Sequence, residues 1–338
     1  MPNLRLLVIS AMLSSVLGLA ACGGGGGGYG SGGGGGGAST AAPSKLFGAD
    51  SPHFAIGSLA NPNPSPGTIP LDRVITGVYT SLSNNIGSLA LDPALNYLYV
   101  GNGMSILVFY GASTADGDIF PSRTFSIGAG NTGSLFLDKA NDRLYVGDDV
   151  NGVKVFNGAS MASGAPAPGR TITGDFGATF VIRGVAVDTT VKNILYVSNT
   201  NHTTSSDQIS VFDNAGTVNG NVAPSRTITP NPVSSVGGIF LDAGNDRLYV
   251  AGGAGATTVM VFDSASTANG STAPTKTLLG FPSGILNVVV DTVNDRLYAV
   301  GISGVYIVNS VSTATGSVTA TAILPPTGGS LTAVAVSP

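Results

Sequence analysis

Asn141–Val146 reads NDRLYV, Asn245–Val250 repeats it letter for letter, and Asn294–Ala299 gives NDRLYA. Working outward from these strings, each belongs to a longer unit holding four short apolar runs in fixed order, here named a to d. Run a precedes the string: GSLALD (Gly87–Asp92), GSLFLD (Gly133–Asp138), GVAVD (Gly184–Asp188), GGIFLD (Gly237–Asp242), NVVVD (Asn287–Asp291) and a last TAVAV (Thr332–Val336). Run b is the LYV core itself, at Tyr97–Gly101, Arg143–Gly147, Ile194–Ser198, Arg247–Ala251 and Arg296–Val300. Run c is ILVFYGAS, VKVFNGAS, ISVFDNAG, VMVFDSAS and VYIVNSVS. Run d is PSRTFSIG, PGRTITG, PSRTITP and PTKTLLG, with a degraded TATAILP at Thr319–Pro325.

Internal repetition at a period of about 46 to 53 residues, with four short strands per unit, predicts a β-propeller. The runs are apolar on both faces, which suits a sheet packed between two neighbouring sheets; a sheet with one wet face would alternate. Run a occurs six times, and its last copy has no b, c or d behind it. The missing three are sought at the other end. Lys45–Ala49 (KLFGA) is similar to run b, His53–Leu59 (HFAIGSL) to run c, and Pro70–Gly77 (PLDRVITG) to run d. The expectation is therefore all-β: a six-bladed ring of four-stranded blades over residues 45–338, closed by the C-terminal strand a joining the N-terminal b, c and d. Such closure leaves few free sheet edges.

Composition agrees. There are 50 Gly and 19 Pro, and all 18 acidic residues are Asp, a poor stock for long helices. Only 9% of residues are charged and the net charge is −4, so the chain lacks the basic surface a nucleic-acid binder presents. The repeat strings LD…NDRLYV…VFDNA…PSRTI resemble NHL-type six-bladed propellers and, more loosely, gluconolactonase-like ones. That resemblance covers residues 45–338 and implies fold far more than activity.

The N-terminus carries a different message. Arg5 precedes an apolar run from Leu6 to Leu19, too short for a comfortable membrane span, with small residues at its end. Leu19-Ala20-Ala21-Cys22 resembles the lipobox of bacterial lipoproteins. The resemblance implies a signal peptide over 1–21 and a covalent diacylglycerol and acyl chain on Cys22, the only cysteine. Gly23 in place of Asp after the cysteine leans toward the outer membrane. Residues 23–37 are Gly at 13 of 15 positions, so 22–44 read as a tether. A Gly-rich coil of about 22 residues spans roughly 25 Å.

The Asp residues closing run a, and the Asn-Asp after them, suit a tight turn; they are expected to accept N–H bonds there or to pair with a nearby Arg. The c–d connections, such as NAGTVNGNVAPS and SASTANGSTAPT, are uniform and read as hairpins of the scaffold. The b–c and d–a connections vary and share one face, which makes that face the candidate binding surface. It would offer Asp148, Asp149 and Asn151 from one b–c loop, His202 and Asp207 from a longer one at Asn199–Gln208, and Asp175 and Arg183 from a d–a loop. Asp148, Asp149 and Asn151 lack the full ligand set of an EF-hand, and metal binding stays open.

Catalysis has less to draw on. The Glu that the gluconolactonase-like resemblance would require as a metal ligand is absent. The several His of lyase-type NHL propellers reduce to His53, assigned to run c, and His202. The expectation is a binding or scaffold module of the cell envelope, held to the membrane by its lipid, facing an envelope protein or glycan, with no nucleic acid and no cofactor beyond the lipid. The alternative is a metal-dependent, lactonase-like hydrolase with an Asp-based site.

Overall fold

Each LYV run becomes the second strand of a sheet, and six such sheets stand in a ring: the chain is a six-bladed β-propeller. The computed structural model describes residues 45–60, 62, 67–68, 71–174, 180–201, 206–231, 235–253, 255–324 and 331–337. Blade two runs a to d through Ile86–Asp92, Tyr97–Asn102, Ser105–Tyr110 and Arg123–Ser126. Blade three uses Thr132–Asp138, Arg143–Asp148, Gly152–Asn157 and Arg170–Ile172. Blade four uses Phe180–Asp188, Ile194–Asn201, Ser206–Asp213 and Arg226–Pro230. Blade five uses Ile239–Asp242, Arg247–Ala251, Val259–Asp263 and Lys276–Leu279, and blade six Ile285–Asp291, Arg296–Gly301, Gly304–Asn309 and Thr321–Leu324.

Blade one is shared between the chain ends as expected. Leu331–Ser337 supplies its strand a and pairs antiparallel with strand b, Lys45–Asp50; Ala55–Ala60 and Arg73–Thr76 follow as c and d. Strand c begins at Ala55, so His53 is not part of it. His53 ends a short 3-10 turn, Ser51–His53, in the b–c connection. The turn stops because Phe54 takes a left-handed conformation, φ 50°.

The core lies between blades. Six apolar clusters fill the six gaps between neighbouring sheets. The LYV strings feed them from both faces: Leu98, Leu144, Leu195, Leu248 and Leu297 are wholly buried, and so are Tyr99, Tyr145, Tyr196, Tyr249 and Tyr298. The run c phenylalanines Phe109, Phe156, Phe212 and Phe262 join them. Each such side chain stabilises the ring by about 1.5–3 kcal/mol relative to an exposed one.

The c–d connections differ from expectation. They are not simple hairpins; each is a latch onto the preceding blade. Gly117, Gly164, Gly220, Gly270 and Gly316 pair in parallel with Ile75, Phe125, Ile172, Ile228 and Leu278, the third residue of each run d strand, and Gly67 pairs with Ile323 across the chain closure. The first five of these glycines sit at φ between 68° and 80°, where a side chain is strained, and this accounts for the recurring Gly in loops of otherwise free composition. In blades four, five and six the latch extends into a fifth strand.

Candidate functional site

The repeated polar residues are framework. Asp92 accepts from the N–H groups of Ala94 and Leu95. Asp138, Asp242 and Asp291 do the same for Asn141, Asn245 and Asn294, whose side-chain amides return to the same carboxylates at 2.7–2.9 Å. The Asp of NDRLYV, at 142, 246 and 295, adopts φ of 50–53°, which Asp tolerates. Its carboxylate then takes both the N–H and the hydroxyl of a serine in the turn after strand c: Ser160, Ser266 and Ser312. Asn96 holds Ser113 at the same two atoms, accepting its N–H and donating its own amide to the hydroxyl. The six residues therefore recur because they tie the a–b turn to the end of strand c.

Run d explains itself similarly. Arg123, Arg170 and Lys276 reach carbonyls in the turn after strand c of the next blade, those of Ala162, of Ala215 and Val218, and of Ser312. Among the buried tyrosines, burial pushes the Tyr99 hydroxyl up to about 12 and that of Tyr249 upward, so both stay neutral in these contacts. Burial works against ionisation of Asp246 and Asp263, yet Ser266 with Lys192, and Arg247, hold them below the usual carboxylate range.

The described parts of the b–c/d–a face are built differently from blade to blade. Asn102 receives the Ser83 N–H and hydroxyl and donates to the Ser81 carbonyl. The equivalent Asp148 is buried and paired with buried Lys154, whose Nζ also donates to the Ile127 and Ala129 carbonyls at 2.8 and 2.7 Å. Asp148 further accepts from Val150, Asn151 and the Asn151 amide. Asp149 holds Asn131 by backbone and side chain, and Asn131 accepts from Asn85. These three candidates thus meet in one loop, where their polar atoms brace neighbouring connections.

The other candidates are dispersed. Asn199–Gln208 is mostly a strand ladder, not a long loop: pairing continues to Asn201 opposite Ser206, so the hairpin outreaches that of blade two by about two residues, roughly 7 Å. Asp207 lies in that ladder, its carboxylate accepting the Val236 N–H of the next blade at 2.8 Å. Arg183 sits at a bulge in strand a of blade four. Cys22, Asp175 and His202 lie outside the described residues. Of the 18 Asp, Asp175 is set aside; every one of the other 17 has a partner within the fold. Among the described residues no three of His, Cys, Asp or Glu converge.

Sequence reasoning missed two features. The b–c turns carry exposed apolar tips, Phe54 (46% exposed), Met104 (58%), Val150 (61%) and Ile302 (50%), with the Asp50–His53 pair beside the first. The second feature is the channel. Where strands a enter from the d–a side, neighbouring backbones nearly touch: a Cβ at Gly87 would fall on the Thr132 carbonyl, one at Gly133 on that of Ile182, and one at Gly184 on the Ile239 N–H. Serine hydroxyls stitch the same level, Ser88 to Leu135 N–H and Ser134 to Val185 N–H at 3.0 and 2.9 Å. Toward the a–b side the six strands part around a cavity of about 520 Å³, lined by Leu91, Phe136, Leu137, Phe240, Val289 and Val336 among others. No family model and no curated protein matches the chain.

Proposed function

We propose that the protein is a lipid-anchored envelope propeller of NHL type that works as a binding or scaffold module through its b–c/d–a face. The fold suits that role. The observation that carries it is the contrast between faces: the a–b and c–d connections repeat one set of bonds, whereas the b–c connections are braced differently from blade to blade. Variable loops on a rigid frame are where recognition resides. The lipobox-like LAAC and the Gly-rich segment support the anchor, and the partner class is an envelope protein or glycan.

Two experiments test this. In cells, Cys22→Ser is expected to abolish acyl labelling and membrane partitioning; retained labelling rejects the anchor. Crosslinking of tagged full-length protein in intact cells is expected to capture a stoichiometric partner that is lost when Phe54, Met104 and Ile302 are changed to Ser. Capture that ignores these changes rejects the face. The lactonase-like reading has no described side-chain cluster in its favour, and lactone hydrolysis abolished by a single Asp→Asn change would revive it.

A further inference from the structure

We infer that the central cavity is a second binding site, for a neutral apolar small molecule entering from the a–b side. It lies at the opposite end of the channel from the face proposed above, so the two readings fail separately. Three observations carry it. First, the size, about 520 Å³, falls within the range of small-molecule pockets. Second, the lining is apolar where it need not be. Leu89, Leu135, Val185 and Val288, deeper along the strands, are buried between blades, but Leu91, Phe136, Leu137, Phe240, Val289 and Val336 are only half-buried and face shared space. Apolar surface left open in a concave site marks binding more often than an isolated exposed residue does. Most polar groups in the wall are already committed: Ser88 and Ser134 to the stitches, Asp138 to Asn141, and the Asn287 oxygen to the Val288 N–H, with Lys139 and Thr189 the other polar side chains in the described lining.

Third, the charge around the mouth selects. Asp92, Asp138, Asp188, Asp242 and Asp291 end five of the six strands a, and the hydrogen bonds found for them come from backbone N–H groups, Asn amides and the Thr190 hydroxyl. Hydrogen bonds to neutral donors leave the negative charge in place. Among these charges only Asp138 and the cation Lys139 lie in the described lining; of the Arg that face Asp138, Asp242 and Asp291 across the a–b ladders, Arg247 and Arg296 are tied outward to Asp263 and Asn309, which leaves the carboxylates in excess over Lys139 and Arg143. An anionic head group would therefore meet net repulsion, and a neutral ligand would not. The wall supplies two aromatic faces, Phe136 and Phe240, each braced by a buried tyrosine of its own blade, Phe136 edge-on by Tyr145 and Phe240 at a tilt by Tyr249 (centroids at 6.1 and 6.4 Å).

The test uses the chain from position 22 onward with Cys22→Ser, which leaves out both the acyl chains and the apolar run Leu6–Leu19, and two dyes sharing one ring system: neutral N-phenyl-1-naphthylamine and anionic 8-anilino-1-naphthalenesulfonate. The neutral dye is expected to bind saturably at one per chain, and the anionic dye at least tenfold more weakly at low salt. Filling the cavity with Val289→Phe and Val336→Phe together should weaken the neutral dye at least tenfold without lowering the melting temperature. Should that pair not fold, Phe136→Trp gives a lone reporter, since the chain has no Trp, and its emission should be quenched by bound dye in proportion to occupancy. Non-saturating binding, indifference to the filled cavity or an unquenched tryptophan signal from the Phe136→Trp variant overturns the site; equal affinity for both dyes overturns the charge selection.

Discussion

The two faces of the ring are made from the same strands and differ in how they use polar residues. On the a–b/c–d side one arrangement serves blade after blade: an Asp closes strand a, a left-handed Asn or Asp follows, and a serine after strand c is tied to it. On the b–c/d–a side, blade two uses an Asn, blade three a buried Asp–Lys pair, and blade four an Asn next to Ser210. Apolar tips do not separate the faces, because Leu95, Val191 and Val293 are exposed on a–b turns as well. What separates them is repetition. A bond that recurs from blade to blade holds the ring together; one that changes is free to serve something else.

The largest effect should come where the variable face becomes structural. Lys154→Leu leaves Asp148 buried without its cation and is expected to cost about 3–5 kcal/mol in denaturant unfolding. Blade two holds Asn102 and Leu107 at the same two register positions, so Asp148→Asn with Lys154→Leu should recover most of that loss. If the double variant is as unstable as the single one, the pair is not interchangeable with its blade-two counterpart. The framework face should answer more evenly. Asp142→Ala, Asp246→Ala and Asp295→Ala each remove two bonds to a serine and place a less tolerant residue at positive φ, at about 1–3 kcal/mol apiece. Asn at these places should be milder, as Asn96 already does the job. Asp246→Ala also loses Lys192 and should cost slightly more; unequal losses between Asp142→Ala and Asp295→Ala would contradict a shared role.

The ring was legible because its signals are local and repeated: LYV and VFD strings at one period, an unfinished last unit and its missing strands at the start. The c–d latch was not, since the Gly that sets it pairs with a strand of another blade, and turn chemistry alone reads as a hairpin. His53 was misassigned because Phe54-Ala55-Ile56 looks continuous with it, and only the left-handed Phe54 breaks the run. The hairpin at Asn199–Gln208 was hidden by polar composition, which a ladder of backbone bonds tolerates. The apolar cavity was invisible because a half-buried Phe136 and a buried Leu135 are written alike in sequence.

Acid should separate the faces more gently. Asp246 and Asp263 have folded-state pKa values below the ordinary one, so the stability they contribute is present above about pH 3.9 and is lost as pH falls further, through their folded values. Melting temperature followed from pH 6 to pH 2 should fall in that window, and Lys192→Met should shrink the drop by removing one cause of the shift on Asp246. An unchanged drop would assign the acid sensitivity elsewhere.

The smallest stability effect is also the most discriminating test of function. Met104→Ser, Val150→Ser and Ile302→Ser lie at exposed tips, and each should change stability by no more than about 0.5 kcal/mol. Val191→Ser and Val293→Ser, at least as exposed on a–b turns, should be as mild. The a–b set is thus at least as exposed and as apolar as the b–c set, equal in expected cost, and set apart by the face it occupies. If the b–c set alone lowers partner capture in cells, recognition belongs to the variable face. If both sets lower it equally, capture reflects general surface apolarity, and the contrast between faces loses its functional meaning.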